Sequence, residues 1–277
     1  MLEIHFLGVT TGECTIVRTR GRLTVIDINT DAPDGQPSAL TYLDTHFPAE
    51  NIHRYIQAHV DHGHMRGLHA LFARRAVKYA WFPFESDGYP YRPHDGEHLD
   101  WECFDRLRKG KQAGTQTLFP VAERDREVLD RFDLEGWSIV VPYRHMADLY
   151  RAADGYVPPP NFILALTYGG VRVLLSGETG QWLWRDALRR CRDAVFCNIL
   201  SATHRKCQGD ELHPYLPALD LLRPAQVVVS ADSDSRDEIR ALYHSHGADI
   251  VWRELGSALV LRIEADGTTQ FSVQQWA

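Results

Sequence analysis

The sequence predicts an α/β protein built as a sandwich of two mixed β-sheets with helices on the outer faces. Its opening residues alternate between apolar and polar side chains, as paired strands do, at 2–9, 14–19 and 23–28. Strands and helices then follow one another in turn, and a hairpin followed by strand and helix units recurs in the second half of the chain. This order is typical of a layered α/β fold.

The first half of the chain continues the pattern after the opening strands. Its apolar periodicity predicts a helix at 37–47, a strand at 53–58, a helix at 65–74 and a strand at 78–83. From about 84 to 135 the sequence becomes aromatic, charged and rich in Pro and Gly, with a short amphipathic helix and a polar connector. We interpret this stretch as an insertion or lid.

Regular strands resume in the second half of the chain. Two apolar runs separated by Gly169 and Gly170 predict a hairpin that ends near Glu178. The remaining predicted elements are a strand at 137–143, a helix at 181–190, a strand at 194–200, a helix at 213–222, a strand at 225–231, a helix at 235–246 and strands at 257–264 and 269–276. No repeat or linker interrupts them, so we expect a single domain over 1–277.

Composition and charge narrow the class of protein. Hydrophobic residues make up 44% and charged residues 24% of the chain, as in ordinary globular proteins. The net charge of -7 opposes nonspecific attraction to phosphate backbones, so nucleic-acid binding would need a local basic patch. Without a long apolar run or a signal-peptide pattern, we expect a cytoplasmic protein with no membrane partner. Five scattered cysteines predict neither a disulfide framework nor a thiolate zinc site.

Ligand-type residues are densest where the strand at 53–58 gives way to a helix. His59, Asp61, His62 and His64 lie within six residues. Imidazole and carboxylate groups are common ligands of divalent ions, and a loop at a strand end allows their side chains to converge. A chance surface loop is the alternative, but the density of these residues favours a metal site.

The segment from His59 to Leu68 resembles the HxHxDHxxGG signature of the metallo-β-lactamase superfamily, aligned on its ending. In this register His59 takes the first histidine position and His64 the last. Asp61 replaces the second histidine, and Gly63 replaces the aspartate. Half of the signature is therefore kept.

Other segments resemble the ComEC/Rec2-type hydrolase domain of the same superfamily, in the same order. GECTIVRTRGRLTVIDINTD places Asp27 at the family's structural aspartate, and NFILALTYGGVRVLLSGE places Glu178 at its bridging aspartate. SATHRKC places His204 at the last metal histidine. LLRPAQVVVSADSD and SALVLRIEADG match the closing strands. The resemblance covers nearly the whole chain and implies an αββα sandwich.

The resemblance also implies a metal site. In the family, one ion takes the first two signature histidines, and a second takes the signature aspartate and the last histidines, with an aspartate bridging the two. Because Gly63 removes a carboxylate, we expect one zinc or manganese ion, or none. The implied ligands are His59, Asp61, His64, Glu178 and His204. Among them, Asp61 and Glu178 are the candidate catalytic acids.

Four further residues have supporting roles under the same resemblance. Arg205 and Lys206 would meet a substrate phosphate, or else are solvated charges on a loop. Asp27 would orient the segment from His59 to Leu68, called the histidine loop below, through hydrogen bonds. His62 stands at a variable position of the signature and is expected to support the site rather than bind the ion.

Two functions from different classes fit these residues. The first is metal-assisted hydrolysis of a phosphodiester in a nucleic acid or a nucleotide, because a bound cation activates water and stabilises developing charge. The second is a catalytically silent protein of the same fold that binds a protein partner or a small ligand. The second is favoured by Asp61 and Gly63, which depart from the signature.

Overall fold

The computed structural model describes most of the chain. The described residues are 1–10, 12–32, 37–83, 98–119, 136–141, 161–177, 179–190, 196–202, 216–230 and 236–276. Their strands are β1 (Leu2–Leu7), β2 (Thr15–Thr19), β3 (Arg22–Ile26), β4 (Ile52–Ile56), β5 (Val77–Trp81), β6 (Gln116–Leu118), β7 (Trp137–Val141), β8 (Ile163–Tyr168), β9 (Val171–Leu175), β10 (Ile199–Ala202), β11 (Gln226–Ser230), β12 (Asp249–Arg253), β13 (Ser257–Ile263) and β14 (Thr269–Gln275). Their helices are α1 (Ala39–His46), α2 (His62–Met65), α3 (Leu68–Arg74), α4 (His98–Arg108), α5 (Gln181–Arg190), α6 (Leu216–Leu222) and α7 (Arg236–Ser245).

The strands form two mixed sheets, as the sequence predicts. The larger sheet has the order β14-β13-β1-β2-β3-β4-β5-β6, and the smaller has the order β12-β11-β10-β9-β8-β7. Antiparallel pairs join β14 through β3, and parallel pairs join β3 through β6. In the smaller sheet, β9 through β12 are parallel and β7 through β9 antiparallel.

Three apolar layers hold the sheets and helices together. Phe6, Trp81 and Leu164 belong to the layer between the two sheets. Leu43 and Leu107 belong to the layer that packs α1, α3 and α4 against the larger sheet. A third layer packs α5, α6 and α7 against the smaller sheet. Helices therefore cover both outer faces, which confirms the predicted αββα sandwich.

The predicted helix at 65–74 is wrong in one respect, because the chain breaks into α2 and α3 around Gly67. Gly67 has a φ of 97°, in the left-handed region that favours glycine. A Cβ at this position would lie 2.3 Å from Cγ2 of Thr30. Gly67 thus ends one helical segment and starts the next, and only a residue without a side chain fits beside Thr30.

The stretch interpreted as an insertion or lid contributes partly to the sandwich itself. Cys103, Phe104 and Leu107 of α4 are buried, and α4 contacts α3 on the outer face of the larger sheet. Strand β6 pairs with β5 and extends the same sheet. Residues 84–97 and 120–135 lie outside the described residues, and the role of these parts as a lid stays a prediction.

A buried polar network fastens α1 to the larger sheet. Nδ1 of His5 is 2.8 Å from the hydroxyl of Tyr42, and this hydroxyl donates to Oε1 of Gln274 at 2.9 Å. Burial lowers the pKa of His5 from 6.5 to about 4. The imidazole is therefore neutral in the folded protein at neutral pH.

The buried His5 predicts a loss of stability in mild acid. Between pH 6.5 and 4 the unfolded chain binds a proton at His5 that the folded chain does not. The free energy of unfolding therefore falls as the pH falls through this window, by up to about 3 kcal/mol from this residue. Urea denaturation of the wild type and of His5→Gln across this window measures the effect. The variant is expected to show a shallower decline, and parallel curves would contradict the assignment.

None of the helices in the described parts of the chain is long and apolar enough to span a membrane.

Candidate metal centre

Three ligand-type side chains converge just beyond the end of β4. One ligand atom from each of His59, Asp61 and His64 lies within 4.8 Å of the others. Nε2 of His59 is 3.2 Å from Oδ2 of Asp61, and the two imidazole rings have centroids 4.8 Å apart. The structure therefore brings together three of the five predicted ligands.

A tight local turn produces this convergence. Asp61 has an extended backbone and forms the N-cap of α2, where its Oδ1 accepts a hydrogen bond from the backbone N–H of His64 at 3.2 Å. The single turn of α2 then carries His64 back towards His59. Asp61 thus has two tasks, because Oδ1 caps the helix while Oδ2 faces His59. With a third of its side chain exposed, it is also the most accessible of the three.

Asp27, the residue directly after β3, supports the site through hydrogen bonds. Its carboxylate is fully buried and accepts hydrogen bonds from the backbone N–H of Ala58 at 2.6 Å and of His59 at 3.4 Å. Its Oδ2 lies 2.7 Å from Nδ1 of His64. Burial raises the pKa of Asp27 to about 6, and the neighbouring His64 opposes this rise. Because Asp27 engages Nδ1, Nε2 is the nitrogen of His64 that would bind an ion.

Gln57 is a supporting residue that the sequence reasoning missed. Its side-chain amide donates to the carbonyl oxygens of His59 at 2.8 Å and His64 at 2.9 Å, and to Oδ1 of Asp27 at 3.2 Å. Its own Oε1 accepts from the hydroxyl of Tyr55 at 2.6 Å. The signal in the sequence that could have revealed this role is a polar amide side chain directly after the apolar strand β4. Gln57 holds both ends of the histidine loop in place.

The β1–β2 loop lies directly against the position of the missing carboxylate. A Cβ on Gly12 would lie 1.7 Å from the carbonyl oxygen of Gly63. A Cβ on Gly63 would lie 3.4 Å from Cα of Gly12 and 3.2 Å from Oδ1 of Asp61. Gly63 itself is part of α2 and is not among the glycines with positive φ. A side chain here therefore meets tight packing rather than backbone strain.

A second loop is attached next to His59. Asn161 forms an isolated β-bridge with His59, and its side-chain amide donates to the carbonyl oxygen of Ser176 at 2.9 Å. The hydroxyl of Ser176 in turn donates to the carbonyl oxygen of Ser201, near the end of β10, at 2.7 Å. The ends of β9 and β10 are thereby connected to the histidine loop. The sequence reasoning also missed Asn161, which is 102 positions from His59 along the chain.

Several predicted site residues lie outside the described residues. They are Glu178, His204, Arg205 and Lys206. Their roles stay predictions. His62 is the first residue of α2 and is partly buried, and its supporting role also stays a prediction.

Asp100 of α4 reaches the end of the histidine loop from a distant part of the chain. Its carboxylate accepts hydrogen bonds from the backbone N–H groups of Gly67 at 2.9 Å and His69 at 2.8 Å. Gly67 is the N-cap of α3 and His69 is its second residue, and the N-cap glycine offers no side-chain cap of its own. Asp100 therefore connects the segment interpreted as a lid to the site.

We expect Asp100→Ala to lower the free energy of unfolding by about 1–2 kcal/mol, because two backbone donors lose a charged acceptor. Asp105→Ala, in the same helix, is the matched control. Asp105 pairs with Arg108 and Lys109 at the surface, so its loss should cost about 0.5 kcal/mol or less. Urea denaturation compares the two, and equal effects would show that Asp100 is not a cap.

Comparison with known proteins supports the fold. No family model and no curated protein matches the sequence. Among solved structures, the metallo-β-lactamase fold protein YhfI from Bacillus subtilis is similar, with a TM-score of 0.57 at 10% identity, covering 98% of this chain and 99% of that one. The metallo hydrolase Igni18 from Ignicoccus hospitalis gives 0.55 at 15% identity, covering 95% and 100%.

A third solved structure shows the same fold inside a larger protein. The diiron β-hydroxylase CmlA from Streptomyces venezuelae matches with a TM-score of 0.58 at 14% identity, covering 94% of this chain and 54% of that one. At such low identities the similarity concerns the fold alone. Together with the two mixed sheets and the outer helices, it establishes that this chain has the metallo-β-lactamase fold.

Proposed function

We propose that this chain is a metal-dependent hydrolase whose ion is held by His59, Asp61 and His64 together with Glu178 and His204. The convergence of His59, Asp61 and His64 carries the proposal. The hydrogen bond from His64 to the buried Asp27 also supports the proposal, since metal-binding histidines commonly donate a hydrogen bond from their other ring nitrogen to a carboxylate. A divalent ion at this position would supply Lewis acidity and activate water.

The topology supports the inclusion of Glu178 and His204. Strands β9 and β10 are parallel neighbours, so their C-terminal ends lie at the same edge of the smaller sheet. Glu178 follows β9 by three residues, and His204 follows β10 by two. Asn161 connects this edge to His59 through Ser176. Two more ligands would thus approach the ion from the opposite sheet.

We further propose a single zinc or manganese ion. In the superfamily signature a carboxylate stands where this chain has Gly63, and the backbone of Gly12 packs against that position. A second ion would therefore lack the anionic ligand that the signature aspartate supplies. One ion with imidazole and carboxylate ligands and an open position is sufficient for hydrolysis.

Asp61 is suited to the proton transfer of hydrolysis. Its side chain is one third exposed, whereas Asp27 is fully buried. In this proposal Asp61 and Glu178 accept or deliver the proton that moves between water and the leaving group. Asp27 stays behind His64 and sets which of its ring nitrogens carries the proton.

The proposed substrate is a phosphodiester in a nucleic acid or a nucleotide. Arg205 and Lys206 follow His204 directly, and a guanidinium beside an ammonium group suits the recognition of phosphate. The resemblance to ComEC/Rec2-type domains favours the same substrate class. The overall negative charge restricts contact with nucleic acid to such a local patch.

Two observations favour the alternative, a catalytically silent protein that binds a protein partner or a small ligand. Asp61 serves as the N-cap of α2, and Gly12 packs against Gly63, where the signature has its second carboxylate. Both features would also be expected of a loop that has only a structural role and binds no ion.

Hydrolysis assays separate the two functions. With zinc or manganese present, the wild type is expected to hydrolyse a chromogenic phosphodiester, and His64→Ala should lower the rate to background. His244→Ala is the control, because His244 is exposed on α7, away from the histidine loop. Activity on a carboxylic ester but not on the phosphodiester would refute the proposed substrate. A folded wild type inactive on both would favour the silent protein.

A further inference from the structure

Strand β14 forms one edge of the larger sheet and carries none of the features that usually protect edge strands. It pairs with β13 over all seven of its residues without a register shift. Its sequence, TQFSVQQ, contains no charge, no proline and no glycine. In the described parts of the chain nothing pairs with its outer edge. Natural edge strands avoid such an exposed backbone with charges, prolines, bulges or short length.

The other three edges of the two sheets, as far as the structure describes them, do have such protection. Strand β6 is three residues long, and β7 has a register shift in its pairing with β8. Strand β12 carries Asp249 and Arg253 at its ends. The contrast identifies β14 as the edge that is open to pairing.

One face of β14 also exposes apolar side chains. Phe271 and Val273 point to the inter-sheet side, since they pair with the core residues Leu261 and Leu259 of β13. Val273 is nevertheless 58% exposed. The smaller sheet therefore does not cover this edge of the larger one. An apolar strip runs along the open edge.

The strand is complementary to a second copy of itself. In an antiparallel pair centred on Ser272, Phe271 lies opposite Val273 of the other copy, and Gln270 lies opposite Gln274. Thr269 lies opposite Gln275, so no like charges meet anywhere in the pair. Opposed aromatic and β-branched side chains stabilise antiparallel pairs.

We propose that this chain forms a two-fold symmetric dimer in which the β14 strands of two copies pair antiparallel about Ser272 and join the two larger sheets. The two Phe271–Val273 pairs would cover the exposed apolar strip of both copies. A closed two-fold contact uses the same surface on both copies, which a self-complementary strand allows. This interface is independent of the proposed hydrolase function.

Mass measurement tests the dimer. Light scattering after gel filtration should give about twice the chain mass of 31.6 kDa for the wild type. Val273→Lys should give the mass of a single chain that still unfolds in one cooperative transition, because it places a charge in the apolar strip. Leu99→Lys is the matched control, as Leu99 is equally exposed at 58% but lies on α4, and this variant should remain a dimer. A monomeric wild type, or a dimer that persists in Val273→Lys, would overturn the proposal.

Cross-linking tests the register of the pair. Ser272→Cys places two thiols directly opposite each other, so mild oxidation with diamide should join two chains by a disulfide. Gln270→Cys places its two thiols at opposite ends of the paired strands, beyond the reach of a disulfide, and should give no more cross-linked dimer than the wild type. Equal cross-linking in the two variants would exclude the proposed register.

Discussion

Asp27→Asn is expected to leave the fold intact and to weaken metal binding by about 10- to 100-fold. Asparagine tolerates the φ of 55° at this position, and its oxygen can still accept from the backbone N–H of Ala58. Its amide, however, would donate to Nδ1 of His64. The proton of the imidazole would then move to Nε2, the nitrogen that an ion needs.

Asp31→Asn is the control for this prediction. Asp31 lies on the same loop, is about one third exposed and pairs with Arg66 rather than with a histidine of the site. Isothermal titration with zinc should give wild-type affinity for Asp31→Asn and weakened affinity for Asp27→Asn. Melting curves of both variants verify that they are folded. Wild-type affinity in Asp27→Asn would show that the hydrogen bond to His64 does not orient a ligand.

The double variant Gly63→Asp with Asp61→His is expected to raise the bound metal from about one to about two equivalents per chain, and phosphodiester hydrolysis with it, since Glu178 remains for the proposed proton transfer. The new aspartate supplies an anionic ligand to a second ion, and the new histidine completes the signature at the first. Gly63 lies in a helical turn, so the backbone accepts a side chain. The Cβ would lie 3.2 Å from Oδ1 of Asp61, which is a side-chain atom, so the histidine at this position must turn its ring slightly away from the new aspartate.

The single variant Gly63→Asp is the comparison for the double one. It keeps Asp61, so two carboxylates would lie close together and the gain in metal should be smaller. The Cβ contact of 3.2 Å to Oδ1 of Asp61 requires a shift of a few tenths of an ångström in this single variant, and thermal melting monitors its cost. If the double variant remains folded and binds no more metal than the wild type, the absent carboxylate is not what limits the site.

Local sequence patterns were sufficient to predict the fold. Apolar alternation predicted the opening strands, and the glycine pair Gly169 and Gly170 predicted the β8–β9 hairpin, where both residues adopt positive φ. Helix periodicity could not reveal the break at Gly67, because the reason for that break is the side chain of Thr30, 37 positions away. Similarly, the segment before β7 was locally irregular, yet its α4 packs against α3.

The candidate site was predicted less completely, for the same reason. The grouping of His59, Asp61 and His64 was evident from their spacing along the chain. The roles of Gln57 and Asp100 were not evident from the sequence. They depend on contacts with backbone groups that become neighbours only when the chain folds. Long-range hydrogen bonds of this kind leave no periodic signal in the sequence.

Metal content is the most direct measure of the central claim that His59, Asp61 and His64 form part of a metal site. Elemental analysis of the purified protein, after incubation with zinc or manganese and dialysis, should give about one equivalent of metal per chain. The variant His59→Ala with His64→Ala should retain none, whereas His244→Ala should match the wild type. A folded wild type that retains no metal would contradict the claim, and two equivalents would show that the ligand set is larger than proposed.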